Sequence, residues 1–314
     1  VTESQQVKKM KMDHQQNKIK VTIITGFLGA GKTTFINQLL KNDLETQFAL
    51  VENEFGDVSI DTKLIKGVDT SQMFELKQGC ICCTISDEYE LVLQELAERF
   101  PEVEHLLIET TGIADPAPVI RPFFADEKLK EIYQYYGTIC LVDALNFKDS
   151  PETEITIKQL VIADFVLISK TEKFPDIQKL AFKKTLQKIN PFAEIELDFR
   201  KNIQLNNILQ KKRTELDFVG FLNSHSNLST QTLHFDRSLN KEEFIHWLSY
   251  NLDIYKKQIY RTKGILCFEN EPYEFILQGV GGSFEILEGD FILDEAKSEV
   301  VFIGKLDGLD LNFE

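Results

Sequence analysis

Ile19-Lys-Val-Thr-Ile-Ile-Thr-Gly26-Phe-Leu-Gly29-Ala30-Gly31-Lys32-Thr33-Thr34-Phe-Ile-Asn-Gln-Leu-Leu40 is the stretch from which the rest of the chain can be read. Val21, Ile23 and Ile24 form an apolar, β-branched run, as in a strand buried on both faces. Gly26 to Thr33 then fits the phosphate-loop pattern G-x-x-x-x-G-K-[ST]. Phe35, Ile36, Leu39 and Leu40 follow at helical spacing. Glycines allow consecutive N–H groups to turn inward around a phosphate, and a helix N-terminus adds its positive end. Gly26, Gly29, Ala30, Gly31, Lys32, Thr33 and Thr34 are therefore the expected nucleotide contacts. Lys32 would reach the β- and γ-phosphates, and the Thr33 hydroxyl would ligate Mg²⁺. The bland alternative is a glycine-rich turn with a solvated lysine, and the flanking strand and helix argue against it.

Working outward, the chain has 314 residues and a formal net charge of −15. That balance speaks against a general binder of nucleic acid or anionic membrane, since both need concentrated positive charge. No apolar run is long enough to cross a bilayer as a helix. Of the five cysteines, three crowd at Cys80, Cys82 and Cys83, while Cys140 and Cys267 sit inside apolar runs. Reduced thiols in the cytoplasm are the better reading than a disulfide framework, with Cys140 and Cys267 in the core. Residues 1–18 are rich in Lys and Gln without an apolar centre and read as a mobile leader rather than a secretory signal.

Apolar strands are expected at Phe48–Glu52, around Met73–Leu76, at His105–Glu109, Thr138–Asp143 and Phe165–Ser169, and at Ala193–Phe199. Helices are expected over Tyr89–Phe100 and Ile177–Ile189, with an irregular stretch imposed by Pro116, Pro118 and Pro122. Apolar strands alternating with amphipathic helices specify an α/β doubly wound domain, whose site lies beyond the strand C-termini. A polar linker around Asn223–Ser229 separates it from a smaller α+β domain with an antiparallel sheet. The expected division is 19–225 and 230–314.

Glu109 ends one strand and leads into Thr110-Thr111-Gly112. A carboxylate there can support Mg²⁺ or the attacking water, and the Gly112 N–H can meet the γ-phosphate. The alternative is a strand-end acid capping the next turn. Ser169-Lys170-Thr171-Glu172 occupies the place where guanine-specific enzymes carry Asn/Thr-Lys-x-Asp. With Ser and Glu in place of the usual residues, ATP stays open as the substrate. Three thiols at Cys80, Cys82 and Cys83 suit a borderline metal such as Zn²⁺, in a shell left incomplete for loading and unloading. The rival readings are a redox pair or chance buried cysteines. Glu52, Glu54 and Asp57 form an acidic loop that is either merely solvated or faces both the phosphates and the cysteines.

Four motifs in order resemble the CobW-like metallochaperone GTPases, kin to the nickel chaperones of hydrogenase and urease. They are Gly26–Thr34, Glu52-Asn-Glu-Phe-Gly56, Gly79-Cys-Ile-Cys-Cys83 and Glu109-Thr-Thr-Gly-Ile-Ala-Asp-Pro116. Arg261-Thr-Lys-Gly264, Leu277-Gln-Gly-Val280 and Val301-Phe-Ile-Gly-Lys305 resemble that family's C-terminal domain. The resemblance implies hydrolysis of GTP to GDP with Mg²⁺, catalysed around Lys32, Glu109 and Gly112. Ser169, Lys170 and Glu172 would stand at the base. It also implies zinc or a related transition metal at Cys80, Cys82 and Cys83, with Glu52 and Asp57 as further candidates, for delivery to a client metalloprotein. Self-association is left open. The chain lacks the histidine-rich loop that many members carry. Two other readings compete: a phosphoryl-transfer enzyme acting on a small molecule, with a structural Cys site, and a non-catalytic metal-binding protein.

Overall fold

Val21, Ile23 and Ile24 expose none of their surface, because strand β1 (Ile19–Gly26) lies inside a sheet covered on both faces. The computed structural model describes residues 18–54, 57–59, 75–76, 86–147, 154–197, 228–292 and 296–313. The strands joining β1 are β2 (Phe48–Glu54), β3 (Asp57–Ser59), β4 (Glu75–Leu76), β5 (His105–Thr110), β6 (Tyr133–Asp143), β7 (Phe165–Ser169) and β8 (Glu194–Glu196). Their order is β4-β3-β2-β5-β1-β6-β7-β8. From β2 to β8 all neighbours are parallel, and β3 and β4 form an antiparallel edge. The doubly wound reading is thus the fold that forms.

Helix α1 (Lys32–Asn42) buries Phe35, Ile36, Leu39 and Leu40 against one sheet face, with Leu50, Leu107 and Leu167. On the other face α2 (Ser86–Arg99) contributes Tyr89, Leu93 and Leu96. Three short helices, α3 (Ala117–Ile120), α4 (Pro122–Ala125) and α5 (Glu127–Ile132), replace the expected irregular stretch. Proline is at home in a first helical turn, where its missing N–H would have no partner anyway. The Asp126 carboxylate caps α5 by accepting from the Leu129 amide at 2.8 Å. β6 begins at Tyr133 rather than Thr138, with a register shift opposite Val21 and Thr22 and Gly137 at φ 142. The alternating exposure of its first residues hid that part of the strand. Helix α6 (Glu154–Ile162) was not anticipated, since its apolar residues fall on every face rather than on one stripe. Helix α7 (Asp176–Ile189) follows expectation.

The second sheet is antiparallel, β12-β11-β10-β13-β9. Its strands are β9 (Ser229–Phe235), β10 (Ile259–Cys267), β11 (Tyr273–Val280), β12 (Ser283–Phe291) and β13 (Ser298–Gly304). Helix α8 (Lys241–Ile254) lays Phe244, Leu248 and Leu252 onto it. Cys140 and Cys267 are buried free thiols. No helix among the described residues is long and apolar enough to cross a membrane.

Where the two sheets' domains meet, Asp164 accepts from Arg261 Nη2 at 2.7 Å and Lys263 Nζ at 3.1 Å. Its other oxygen accepts from the Thr138 amide at 3.0 Å and the Tyr135 hydroxyl at 3.2 Å. All three charged side chains are buried. Burial pushes Lys263 down to about 8, against the opposing pull of Asp164. Arg261 Nε and Nη1 have no partner among the described residues. Glu154 adds a more exposed bridge, accepting from Tyr260 at 3.1 Å and pairing with Lys305 at 2.8 Å.

Candidate functional site

β1 delivers the chain to a loop that glycine alone can make at its first position. Gly26 has φ 134, and a Cβ there would lie 2.3 Å from Leu141 O. The Ala30 amide closes the loop on Phe27 O at 3.1 Å. Gly31, at φ 99, starts α1 without a side-chain cap, leaving the first helical N–H groups to face the loop. Lys32 folds back to donate to Gly26 O at 3.0 Å. Burial lowers its pKa, while Glu109 and then Cys140 pull the other way. Beneath it, burial pushes the Cys140 thiol up to about 12 despite the lysine. Thr34 is exposed at the loop's rim.

The Thr33 hydroxyl donates to Glu109, 3.1 Å from Oε1 and 3.4 Å from Oε2. A hydroxyl has one hydrogen and two lone pairs. With the hydrogen directed at Glu109, the lone pairs are left for a cation beside the phosphate loop, so these two residues fit Mg²⁺. Three residues on, the chain returns to the loop at Gly112, where a Cβ would stand 2.5 Å from the Leu28 amide nitrogen. Gln159 of α6 fixes this return, donating from Nε2 to Gly112 O at 3.3 Å and Ala114 O at 3.0 Å. Lys32, Glu109 and Gly112 are therefore brought together as expected.

Ser169 does something its sequence context did not disclose. Its hydroxyl lies 2.8 Å from Ala30 O and 3.2 Å from Val142 O, tying the end of β7 to the phosphate loop. Lys170 has φ 59, and its ammonium sits 2.6 Å from Asp143 Oδ2. Asp143 also accepts from Asn146 Nδ2 at 2.7 Å and the Leu145 amide at 2.9 Å. Burial alone would raise the Asp143 carboxyl; the donors from Lys170, Asn146 and Leu145 outweigh it and hold it below the usual range. Glu172 is exposed.

Cys80, Cys82 and Cys83 lie outside the described residues, as do the side chains of Glu52 and Asp57. The backbone of Glu52 pairs with Glu109 across β2 and β5, and Asp57 turns back opposite Glu54 in a hairpin where a polar loop was expected. Among the described residues no group of three or more His, Cys, Asp or Glu side chains is placed to hold a metal. Asp143 and Gln159 are the polar residues the sequence reading missed. Asp143 had a signal, an acid ending an apolar strand as Glu109 does; Gln159 had none without α6.

Comparison with known proteins adds independent findings. The CobW/HypB/UreG nucleotide-binding domain model matches residues 20–196, and the model of the cobalamin synthesis protein cobW C-terminal domain matches 228–312. The zinc chaperone YjiA of Escherichia coli is 33% identical, over 92% of this chain and 94% of that protein. Zinc-regulated GTPase metalloprotein activator 1 of Schizosaccharomyces pombe is 27% identical, over 94% and 84%. The crystal structure of Zn(II)-bound YjiA GTPase from E. coli superposes with a TM-score of 0.66, covering 92% of this chain and 95% of that one.

Proposed function

This chain belongs to the CobW/HypB/UreG family, and from that premise we propose that it is a GTP-hydrolysing metallochaperone. It couples its nucleotide state to the binding and delivery of a transition metal, zinc first among them, to a client metalloprotein. The relatives support the reading: one is named a zinc chaperone and another a zinc-regulated GTPase metalloprotein activator. The observation that carries it is the pairing of Thr33 with Glu109 beside a glycine-rich loop that enters α1 without a side-chain cap. In this reading residues 19–225 form the nucleotide domain and 230–314 the second domain, and the protein works in the cytoplasm.

Gly26, Gly29, Ala30, Gly31 and Thr34 hold the phosphates through the backbone of the loop and the first turn of α1. Lys32 exchanges Gly26 O for the β- and γ-phosphate oxygens and stabilises the charge spread over them in the transition state. Water attacks the γ-phosphorus, the bond to the GDP oxygen breaks, and GDP and inorganic phosphate leave. Thr33 and Glu109 hold Mg²⁺, which when bound neutralises phosphate charge. The Gly112 N–H reports the γ-phosphate to the segment that follows. Lys170 lies along the guanine, Glu172 accepts from its N–H donors, and Ser169 keeps that loop in register with the phosphate loop.

Zinc is cargo, held by the thiolates of Cys80, Cys82 and Cys83 with Glu52 and Asp57 as added ligands. The backbone pairing of Glu52 with Glu109 supports a direct route between the two sites. By linkage, whatever factor GTP imposes on zinc affinity, zinc imposes on GTP affinity. The test is zinc affinity, by chelator competition, of apo, GDP-bound and non-hydrolysable-GTP-bound protein. A difference of about 5–150-fold is expected, with weaker binding as pH falls through the thiol range, because the ligand is the thiolate. Equal affinity in all three states would leave a nucleotidase and a metal site sharing one chain.

A further inference from the structure

Among the described residues β12 is the outer strand of the second sheet, with one edge hydrogen-bonded to β11. Along its other side runs a groove of about 600 Å³, bordered by the consecutive residues Gly282 to Leu287. Side chains alternate between faces along a strand. Five strand residues in a row, Ser283 to Leu287, border one cavity when that cavity follows the strand's edge, where main-chain N–H and C=O groups emerge. The far wall belongs to the first domain and carries Lys18, Arg121 and Lys130. Against these three cations the described lining holds one carboxylate, Glu285, in a chain whose net charge is −15. Lys18 is spent on Lys130 O and Lys130 on Glu127. Arg121 is exposed and makes no side-chain hydrogen bond or ion pair among the described residues. Phe284 and Ile286 are half-buried in the same groove.

We propose that this groove binds an extended, acidic segment of a partner protein as a sixth strand on β12, with a carboxylate of that segment on Arg121. Main-chain pairing to an open sheet edge gives affinity, and alternate side chains give specificity. Apolar residues at every second position would meet Phe284 and Ile286, and acids between them would face the cationic wall. The groove spans both domains, and Tyr135 in its floor donates to Asp164 at the seam. Binding here needs neither nucleotide nor metal, so it stands or falls separately from the hydrolysis and zinc chemistry above.

The test uses the full chain and a fluorescein-labelled ten-residue peptide of alternating Val and Glu, read by fluorescence anisotropy without nucleotide. Saturable binding is expected. A Val/Lys peptide should bind at least about tenfold more weakly, given the charges it would meet. A Val/Glu peptide N-methylated at alternate amides should lose as much, because strand addition depends on those donors. Arg121→Glu should weaken the Val/Glu peptide by a similar factor and leave GTP hydrolysis and circular dichroism unchanged. No binding, equal binding of the Lys or N-methylated peptide, or an unaffected Arg121→Glu variant would overturn the proposal. So would full displacement by millimolar inorganic phosphate, which would mark a small-anion site. A dimer in sedimentation that Arg121→Glu dissociates would also overturn it, by giving the edge to a second copy.

Discussion

Strand β7 has a polar cluster at each end, and the two treat charge in opposite ways. Beyond its C-terminal end, Lys170 pairs with Asp143 across a solvent-facing loop, close to Lys32, Thr33 and Glu109. Each of those contacts occupies a group that a ligand can claim: Lys32 holds a carbonyl, and Thr33 keeps its lone pairs free. Just before its N-terminal end, Asp164 accepts from Arg261, Lys263, Thr138 and Tyr135 at once, buried between two domains. There the partners are fixed and the charges are buried, so removing one charge strands the others. Clusters of the same residue types thus become a working site or a structural joint according to whether a ligand can enter.

The comparison breaks first at Asp164. Asp164→Ala leaves two cations buried without their carboxylate, so a loss of about 3–5 kcal/mol in urea unfolding is expected. A loss below about 1 kcal/mol would mean the joint tolerates rearrangement as freely as the site does. Lys32→Ala should do the reverse. GTP hydrolysis falls at least ~100-fold, because stabilisation of the transferring phosphoryl group is lost, while the unfolding midpoint stays near that of the parent. Near-parental turnover would remove the phosphate loop from the chemistry.

A subtler contrast comes from pH. Lys263 titrates near 8 in the folded chain against 10.5 for the free side chain. Between those values the unfolded chain binds more protons, so stability rises with pH in that window. Measured as parent minus Lys263→Met between pH 8 and 9.5, the slope should be positive and at most about 1.4 kcal/mol per pH unit. A flat or negative difference would mean that Lys263 keeps its ordinary basicity and the joint is wetter than its burial implies. The smallest effect belongs to Glu172→Asp, which restores the shorter acid and should raise the preference for GTP over ATP by roughly 3–10-fold through better pairing with the base. An unchanged or lower ratio would take Glu172 away from the base.

The sequence alone determined the α/β class and the phosphate-loop pattern from Gly26 to Thr33. These depend on local regularities: a β-branched run, a glycine spacing and a helical stripe, each readable within about ten residues. It also showed that Arg261 and Lys263 sit in a recognisable motif, but not what they hold. Tertiary structure decided that Asp164 is their partner, 97 and 99 positions away. It likewise decided that Ser169 ties down Ala30 and that Gln159 carries the loop after Glu109. The outer place of β12 among the described strands is also a tertiary fact, because β12 is an edge only by virtue of its place in the sheet. A hydrogen bond between distant segments leaves no period and no fixed spacing in either one, so a polar residue that will be buried against a partner reads the same as one that will face water.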